Sequence, residues 1–147
     1  MMRFFKSGKK PVSRRTTVLT YGTFDLFHSG HVRLLQRLKA MGDELIVGCA
    51  TDEFNEKKGK TAVMSYEARR EILESCRFVD VVIPEYDWVQ KPLDIAHYKV
   101  DVFAMGDDWE GYFDDLEKHC RVVYLPRTPE VSTTSLRERV DAMRKTA

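Results

Sequence analysis

Beyond the first fifteen residues, short continuous apolar runs alternate with stretches in which apolar positions recur every three or four residues. The runs TTVLTYG (16–22), ELIVGCA (44–50), VDVVIP (79–84), VDVFAMG (100–106) and RVVYLP (121–126) predict five strands, because Val, Ile and aromatic side chains suit a pleated backbone and each run is bounded by Gly, Pro or Asp. Their near-continuous hydrophobicity, in place of strict alternation, predicts burial on both faces. Between the first two runs, Val32, Leu35, Leu38 and Met41 keep a helical period and Gly42 is a natural stop. Between the second and third, Ser65 caps SYEARREILESC, whose Ile72, Leu73 and Cys76 are expected to face the sheet while Arg69 and Arg70 lie towards its exposed or cleft side. KPLDIAHYK and FDDLEKHC are shorter helix candidates, and Ser132, Thr133 and Thr134 precede a last helix, SLRERVDAMRK. This alternation predicts an α/β chain: a single doubly wound domain with a five-stranded parallel sheet and right-handed crossovers. In such sheets ligands bind at the carboxyl ends of strands, where the strand order reverses.

Composition narrows the class without changing that picture. A chain of 147 residues, 43% hydrophobic and 32% charged, fits one soluble globular domain. None of its apolar runs approaches the roughly 18 residues of a membrane span. The net charge of +1 hides an asymmetry: residues 1–15 hold six basic side chains and no acid, leaving 18 basic against 23 acidic residues in the remainder. Residues 1–15 are therefore expected to form a disordered basic extension and residues 16–147 the domain. The extension lacks the apolar stretch of an export signal, so a cytoplasmic location is expected, and one charge run of this length does not make a nucleic-acid-binding protein. Cys49, Cys76 and Cys120 are odd in number, widely spaced and free of any CxxC pairing, which predicts buried reduced thiols.

Candidate chemistry begins where the first strand ends, in TYGTFDLFHSGHVRLL. His28 and His31 could serve a metal, the core or an anion. As metal ligands they lack further partners at recognised spacing, with only His97 and His119 left in the chain. As core residues they sit oddly beside Ser29 and Gly30 in a tight loop. The third reading uses the loop: Gly22 ends the strand, Gly30 permits close backbone approach, and the next helix points its unpaired amides and positive dipole end at whatever lies above. That is a phosphate site, to which two imidazoles add donors. RTPEVSTTSLR repeats the logic after the fifth strand, with the cationic fork of Arg127 beside the hydroxyls of Ser132, Thr133 and Thr134. Capping explains one hydroxyl, not three beside an arginine. Two helix starts and an arginine suit a triphosphate.

These motifs carry a resemblance. GTFDLFHSGH contains the HxGH element of the nucleotidyltransferase superfamily, and RTPEVSTT is similar to the RTxGxST element of its cytidylyltransferase branch. With TDEFN, YEARR, VIPE and MGDDWEG in order, the chain resembles the bacterial glycerol-3-phosphate cytidylyltransferases from about Thr16 to the last helix. The resemblance implies a Rossmann-like fold and transfer of CMP from CTP to a phosphomonoester, with release of pyrophosphate and formation of CDP-glycerol for a polymer such as teichoic acid or a capsule. It also implies Mg²⁺ held mainly through the CTP phosphates. Carried over residue by residue, it gives His28 and His31 to the triphosphate, Thr23, Phe24, Ser29 and Gly30 to the same nucleotide site, Lys60 to the nucleotide phosphates, and Arg127, Thr128, Ser132, Thr133 and Thr134 to the rest of CTP. Lys58 would hold the acceptor phosphate, and Lys91 matches a second lysine associated with the acceptor. His28, His31, Lys58 and Arg127 are the expected catalytic set.

Some positions stay open on the residues alone. Asp25 and Asp108, near the ends of the first and fourth strands, suit site ordering or Mg²⁺ held through water, or simply cap turns; the resemblance adds Asp108 to the nucleotide residues. NEKKGKT reads as a flexible loop able to close over anions, or as a solvated basic one. Trp88 and Trp109 line the cleft or pack, with Trp109 expected in the cleft. Arg77 and SCRFVD match a segment associated with subunit contact, which implies a homodimer. Glu130 stands where the family element has Gly. The alternatives are an adenylyltransferase, a cytidylyltransferase for a phosphoethanolamine- or phosphocholine-type acceptor, and a non-catalytic nucleotide-binding module.

Overall fold

The computed structural model describes residues 14–127 and 132–146, and within them the five predicted runs form one sheet. The strands are β1 (Thr17–Gly22), β2 (Glu44–Ala50), β3 (Val81–Glu85), β4 (Val102–Gly106) and β5 (Arg121–Leu125), arranged β3-β2-β1-β4-β5 with every neighbouring pair parallel. Helices α1 (Ser29–Lys39), α2 (Asp52–Lys57), α3 (Tyr66–Ser75), α4 (Gln90–His97) and α5 (Thr133–Thr146) complete the chain. This is the Rossmann-like order. The chain runs from β1 outward to β3 and then returns across the sheet to β4, so a crevice opens between the carboxyl ends of β1 and β4.

Both faces of the sheet are buried, as the unbroken apolar runs require. Val18, Leu45 and Val47 pack with Leu35 and Leu38 of α1 and Leu73 of α3 on one face. Leu19, Ile46, Ile83 and Phe103 pack with Ile95 of α4 and with Phe113 and Leu116 on the other. Gly48 is needed here: a Cβ on it would stand 2.1 Å from the Tyr21 ring, which lies across β2. Pro84 pairs with Cys49 in β3, an edge strand, where a missing amide hydrogen is tolerated.

Several boundaries and roles differ from the sequence reading. β3 starts at Val81 because Val79 closes a turn on the Cys76 carbonyl and Asp80 accepts the Leu45 amide hydrogen at 2.8 Å. β4 starts at Val102 because Asp101 accepts the Thr17 amide hydrogen at 2.9 Å and pairs with Arg14. FDDLEKHC forms only a 3₁₀ turn, Asp114–Lys118. DEFNEK, not anticipated as a helix, is α2, begun by the Thr51 hydroxyl accepting from the Phe54 amide. Arg69 faces neither solvent nor cleft: it is fully buried and donates to the carbonyls of Thr23, Ala50 and Met64 and to the Asp52 carboxylate. All three cysteines are free, but only Cys49 is buried, while Cys76 and Cys120 are half-buried. Residues 1–13 of the expected basic extension lie outside the described residues.

Candidate active site

The loop after β1 is shaped by backbone that side chains rarely adopt. Phe24 and Leu26 have left-handed φ values of 54° and 49°, and a Cβ on Gly22 would stand 2.7 Å from the Phe24 ring. Such strain persists where surrounding packing enforces it. Here it turns the chain so that His28 caps α1. The His28 Nδ1 accepts the Gly30 amide hydrogen at 3.0 Å, and the His31 Nδ1 accepts the His28 amide hydrogen at 3.2 Å. These bonds assign the proton of each neutral ring to Nε2, leaving one N–H per imidazole. The rings stack with centroids 3.9 Å apart. Burial, then the neighbouring His28, pushes the His31 pKa down to about 4. Burial lowers His28 as well. Both imidazoles are therefore neutral donors at pH 7.

A second group of contacts ties α5 to this loop. Asp25 is buried, and its carboxylate accepts the amide hydrogens of Val63 at 2.8 Å and Met64 at 2.9 Å and an Arg137 guanidinium hydrogen bond at 2.6 Å. Burial works to raise the Asp25 pKa, but the two amides and Arg137 outweigh it and hold the carboxyl below the usual carboxylate range. Its backbone carbonyl accepts the Thr133 hydroxyl at 3.0 Å. Ser132 accepts the Ser135 amide hydrogen at 3.0 Å. Two of the three hydroxyls read as ligand groups thus have structural partners, and Thr134 alone is exposed beside the cleft. Arg127 pairs with Asp108, and both are exposed. Thr128 and Glu130 lie outside the described residues.

The third group surrounds Glu85, buried at the end of β3. Lys91 Nζ stands 3.5 Å and Lys58 Nζ 3.9 Å from the same carboxylate oxygen. Burial raises the Glu85 pKa against the pull of Lys91 and Lys58. It also lowers both lysines, while Glu85 holds them up. NEKKGKT is accordingly not a free loop: α2 runs to Lys57, and the Lys58 ammonium lies 4.5 Å from the Phe54 ring centroid. Lys60 is exposed, 5.8 Å from the Trp109 ring. Trp88, 47% exposed, forms the rim, whereas Trp109 packs on Phe113 and lines the interior as expected. Gln90 fixes the β3–α4 turn by accepting the amide hydrogens of Tyr86 and Asp87 and donating to Asp94.

These three groups enclose one cleft with two contiguous lobes, of about 590 and 310 Å³. The larger holds Lys58, Lys60, Lys91 and Trp88; the smaller holds His28, Gly30, Asp108 and Ser132. Thr23, Phe24, His31, Trp109, Arg127 and Thr133 line both and form the seam. Ser29 is exposed at the start of α1. Fixed N–H donors and ammonium groups converging on a seam suit a polyanion spanning two compartments. Sequence reasoning left Glu85 and Arg137 without roles. Glu85 stood inside the quoted VIPE, but only the fold sets two lysines beside it; Arg137 carries no local signal.

The matching family model is the cytidylyltransferase-like one, over residues 19–139. The chain is 58% identical to the glycerol-3-phosphate cytidylyltransferase of Bacillus subtilis (strain 168) over 84% of its own length and 95% of that protein. To the protein of that name from Staphylococcus aureus (strain NCTC 8325 / PS 47) it is 54% identical, over 82% of this chain and 92% of that one. Among solved structures, a lipopolysaccharide core biosynthesis protein from Thermoplasma volcanium GSS1 superposes with a TM-score of 0.67 at 23% identity, covering 78% of this chain and 99% of that one. The last similarity is one of fold.

Proposed function

The chain belongs to the cytidylyltransferase-like family, and on that premise we propose that it transfers CMP from CTP to glycerol 3-phosphate, giving CDP-glycerol and pyrophosphate. The observation that carries the reading is the two-lobed cleft, in which the lysines of one compartment, buried Lys91, half-buried Lys58 and exposed Lys60, meet the histidine-capped helix of the other. The acceptor phosphate sits by Lys58 in the larger lobe, and the nucleotide lies over the start of α1 in the smaller. An acceptor oxygen attacks the α-phosphorus in line, the bond to the bridging oxygen breaks, and pyrophosphate leaves. No covalent enzyme intermediate is needed, so catalysis is positioning and charge stabilisation. The Nε2–H groups of His28 and His31 and the guanidinium of Arg127 face the oxygens on which charge builds.

Magnesium enters this reading with the nucleotide. Asp25 spends both carboxylate oxygens on Val63, Met64 and Arg137, and Asp108 is paired with Arg127. Among the described residues no three His, Cys, Asp or Glu side chains cluster to hold an ion. On this reading the ion would be held mainly by the triphosphate oxygens and would offset their charge. The same reading makes the protein a cytoplasmic enzyme and a homodimer, with the exposed Arg77, stacked 4.8 Å from the Phe78 ring centroid, in the subunit contact. Among the described residues no helix is long and apolar enough to cross a membrane.

Pyrophosphate release tests the assignment, with CTP, ATP, GTP and UTP crossed against glycerol 3-phosphate and other phosphomonoesters in the presence of Mg²⁺. Release with CTP and glycerol 3-phosphate alone is expected. Release with CTP and a different acceptor moves the substrate, and silence with every pair overturns the reading.

A further inference from the structure

Lys91 is placed unlike an ordinary substrate-binding lysine. A lysine near a cleft normally runs its stem along the wall and keeps the ammonium in water. Lys91, in the first turn of α4, is instead 3% exposed, and among the described residues its Nζ has no hydrogen-bond partner. Four aromatic rings surround that nitrogen, with centroids at 4.6 Å (Tyr21), 4.8 Å (Trp88), 5.7 Å (Phe113) and 6.0 Å (Phe54). Glu85 lies 3.5 Å away as counter-ion. Aromatic faces converging on a cation beside a carboxylate make a cage of the kind that binds choline and other substituted ammonium groups. In this protein the seat is taken by the chain's own side chain.

We propose that Lys91 is a built-in ammonium that fills this cage and sets acceptor specificity, admitting phosphomonoesters with a hydroxylated tail and refusing those with a cationic one. The proposal rests on the transferase reading above and deepens it. An acceptor with an ammonium tail finds the rings occupied and a like charge facing it, which costs affinity at low dielectric. A polyol tail instead meets N–H groups that no hydrogen bond among the described residues engages, with Glu85 standing off at 3.5 Å. Leaving buried donors unpaired is costly, and an accepting hydroxyl relieves that cost on binding. Discrimination thus comes from one repulsive element together with one attractive one.

The experiment compares glycerol 3-phosphate with phosphocholine, with CTP saturating, in the wild type and in Lys91→Ala. The wild type is expected to release pyrophosphate with glycerol 3-phosphate and at most a trace with phosphocholine. In Lys91→Ala, kcat/KM for glycerol 3-phosphate falls by about 10- to 100-fold, the scale of one hydrogen bond to a charged group, while kcat/KM for phosphocholine rises. The KM for CTP reports folding and stays near the wild-type value. Lys91→Ala leaves Glu85 paired with Lys58, so Lys91→Gln, which keeps a donor but carries no charge, is measured alongside; it too shifts selectivity towards phosphocholine. Calorimetric titration of phosphocholine into the same proteins reads cage occupancy without turnover, so failure of the filter is separable from failure of the transferase reading. A CTP-binding variant whose preference between the two acceptors is unchanged, or a wild type that binds both equally, overturns the proposal.

Discussion

At the scale of single residues, the site depends on which atom of each side chain is already engaged. His28 and His31 commit Nδ1 to the backbone and leave Nε2–H as their remaining donor, that of His28 3.5 Å from the Thr133 hydroxyl, so the helix cap and the proposed catalytic donor are one side chain. In His28→Ala, kcat is expected to fall by about 10²–10³-fold, the usual cost of losing one transition-state donor, with the KM for CTP moving far less. Loss of the cap also lowers stability by about 1 kcal/mol. Steady-state kinetics beside a urea titration separates the two effects, and a kcat close to wild type would remove His28 from the chemistry. The histidines were legible because a glycine-flanked pair after a strand has few other uses. Arg69 was not, because a charged side chain in a helix pattern reads as surface until three carbonyls from separate segments are found around it.

Elements were legible to the extent that their signal is local. β2 was placed to the residue because a parallel strand covered on both faces is one apolar run bounded by turns. α2 was missed because DEFNEK is short and charged, and its burial of Phe54 depends on the sheet. The link between α5 and the β1 loop was invisible for the same reason: Asp25 and Arg137 are 112 residues apart in sequence. That link predicts the behaviour of Arg137→Met, in which the start of α5 loses its tie to Asp25. The KM for CTP should rise together with a stability loss of about 1–3 kcal/mol, since Arg137 is exposed but the Asp25 carboxylate it leaves behind is buried; an unchanged KM would limit Arg137 to a structural role. The β1 loop gives a sharper case. Gly22→Ala places a Cβ 2.7 Å from the Phe24 ring, which must shift together with its left-handed backbone. A stability loss of about 1–3 kcal/mol, the cost of overpacking, is expected with a larger fractional loss of kcat, because Phe24 packs on His31. Wild-type kcat in a destabilised Gly22→Ala would show that the loop tolerates the displacement.

For the whole molecule, the switch point between β1 and β4 sets the histidine pair part-way into the protein at the wall of the cleft, and that burial couples the proposed activity to stability through protons. The His31 pKa is depressed from 6.5 to about 4 and His28 is lowered too. Between those values the unfolded chain binds more protons than the folded one, so stability rises with pH across the window. The contribution is fully present above pH 6.5 and is lost as pH falls towards 4; for His31 it amounts to at most about 3 kcal/mol. Asp25 and Asp80, held below 3.8, act in the same direction at lower pH. Glu85, raised above 4.5, acts oppositely, since the folded state there retains a proton that the unfolded state releases. The melting temperature of the wild type should therefore drop between pH 6.5 and pH 4.5, and His31→Gln, which cannot titrate, should flatten that slope even if it is less stable at pH 7. Equal slopes in the two proteins would mean that the imidazole keeps an ordinary pKa. It would then be about half protonated near pH 6.5, and His31 would meet the nucleotide there partly as a cation rather than as a neutral donor.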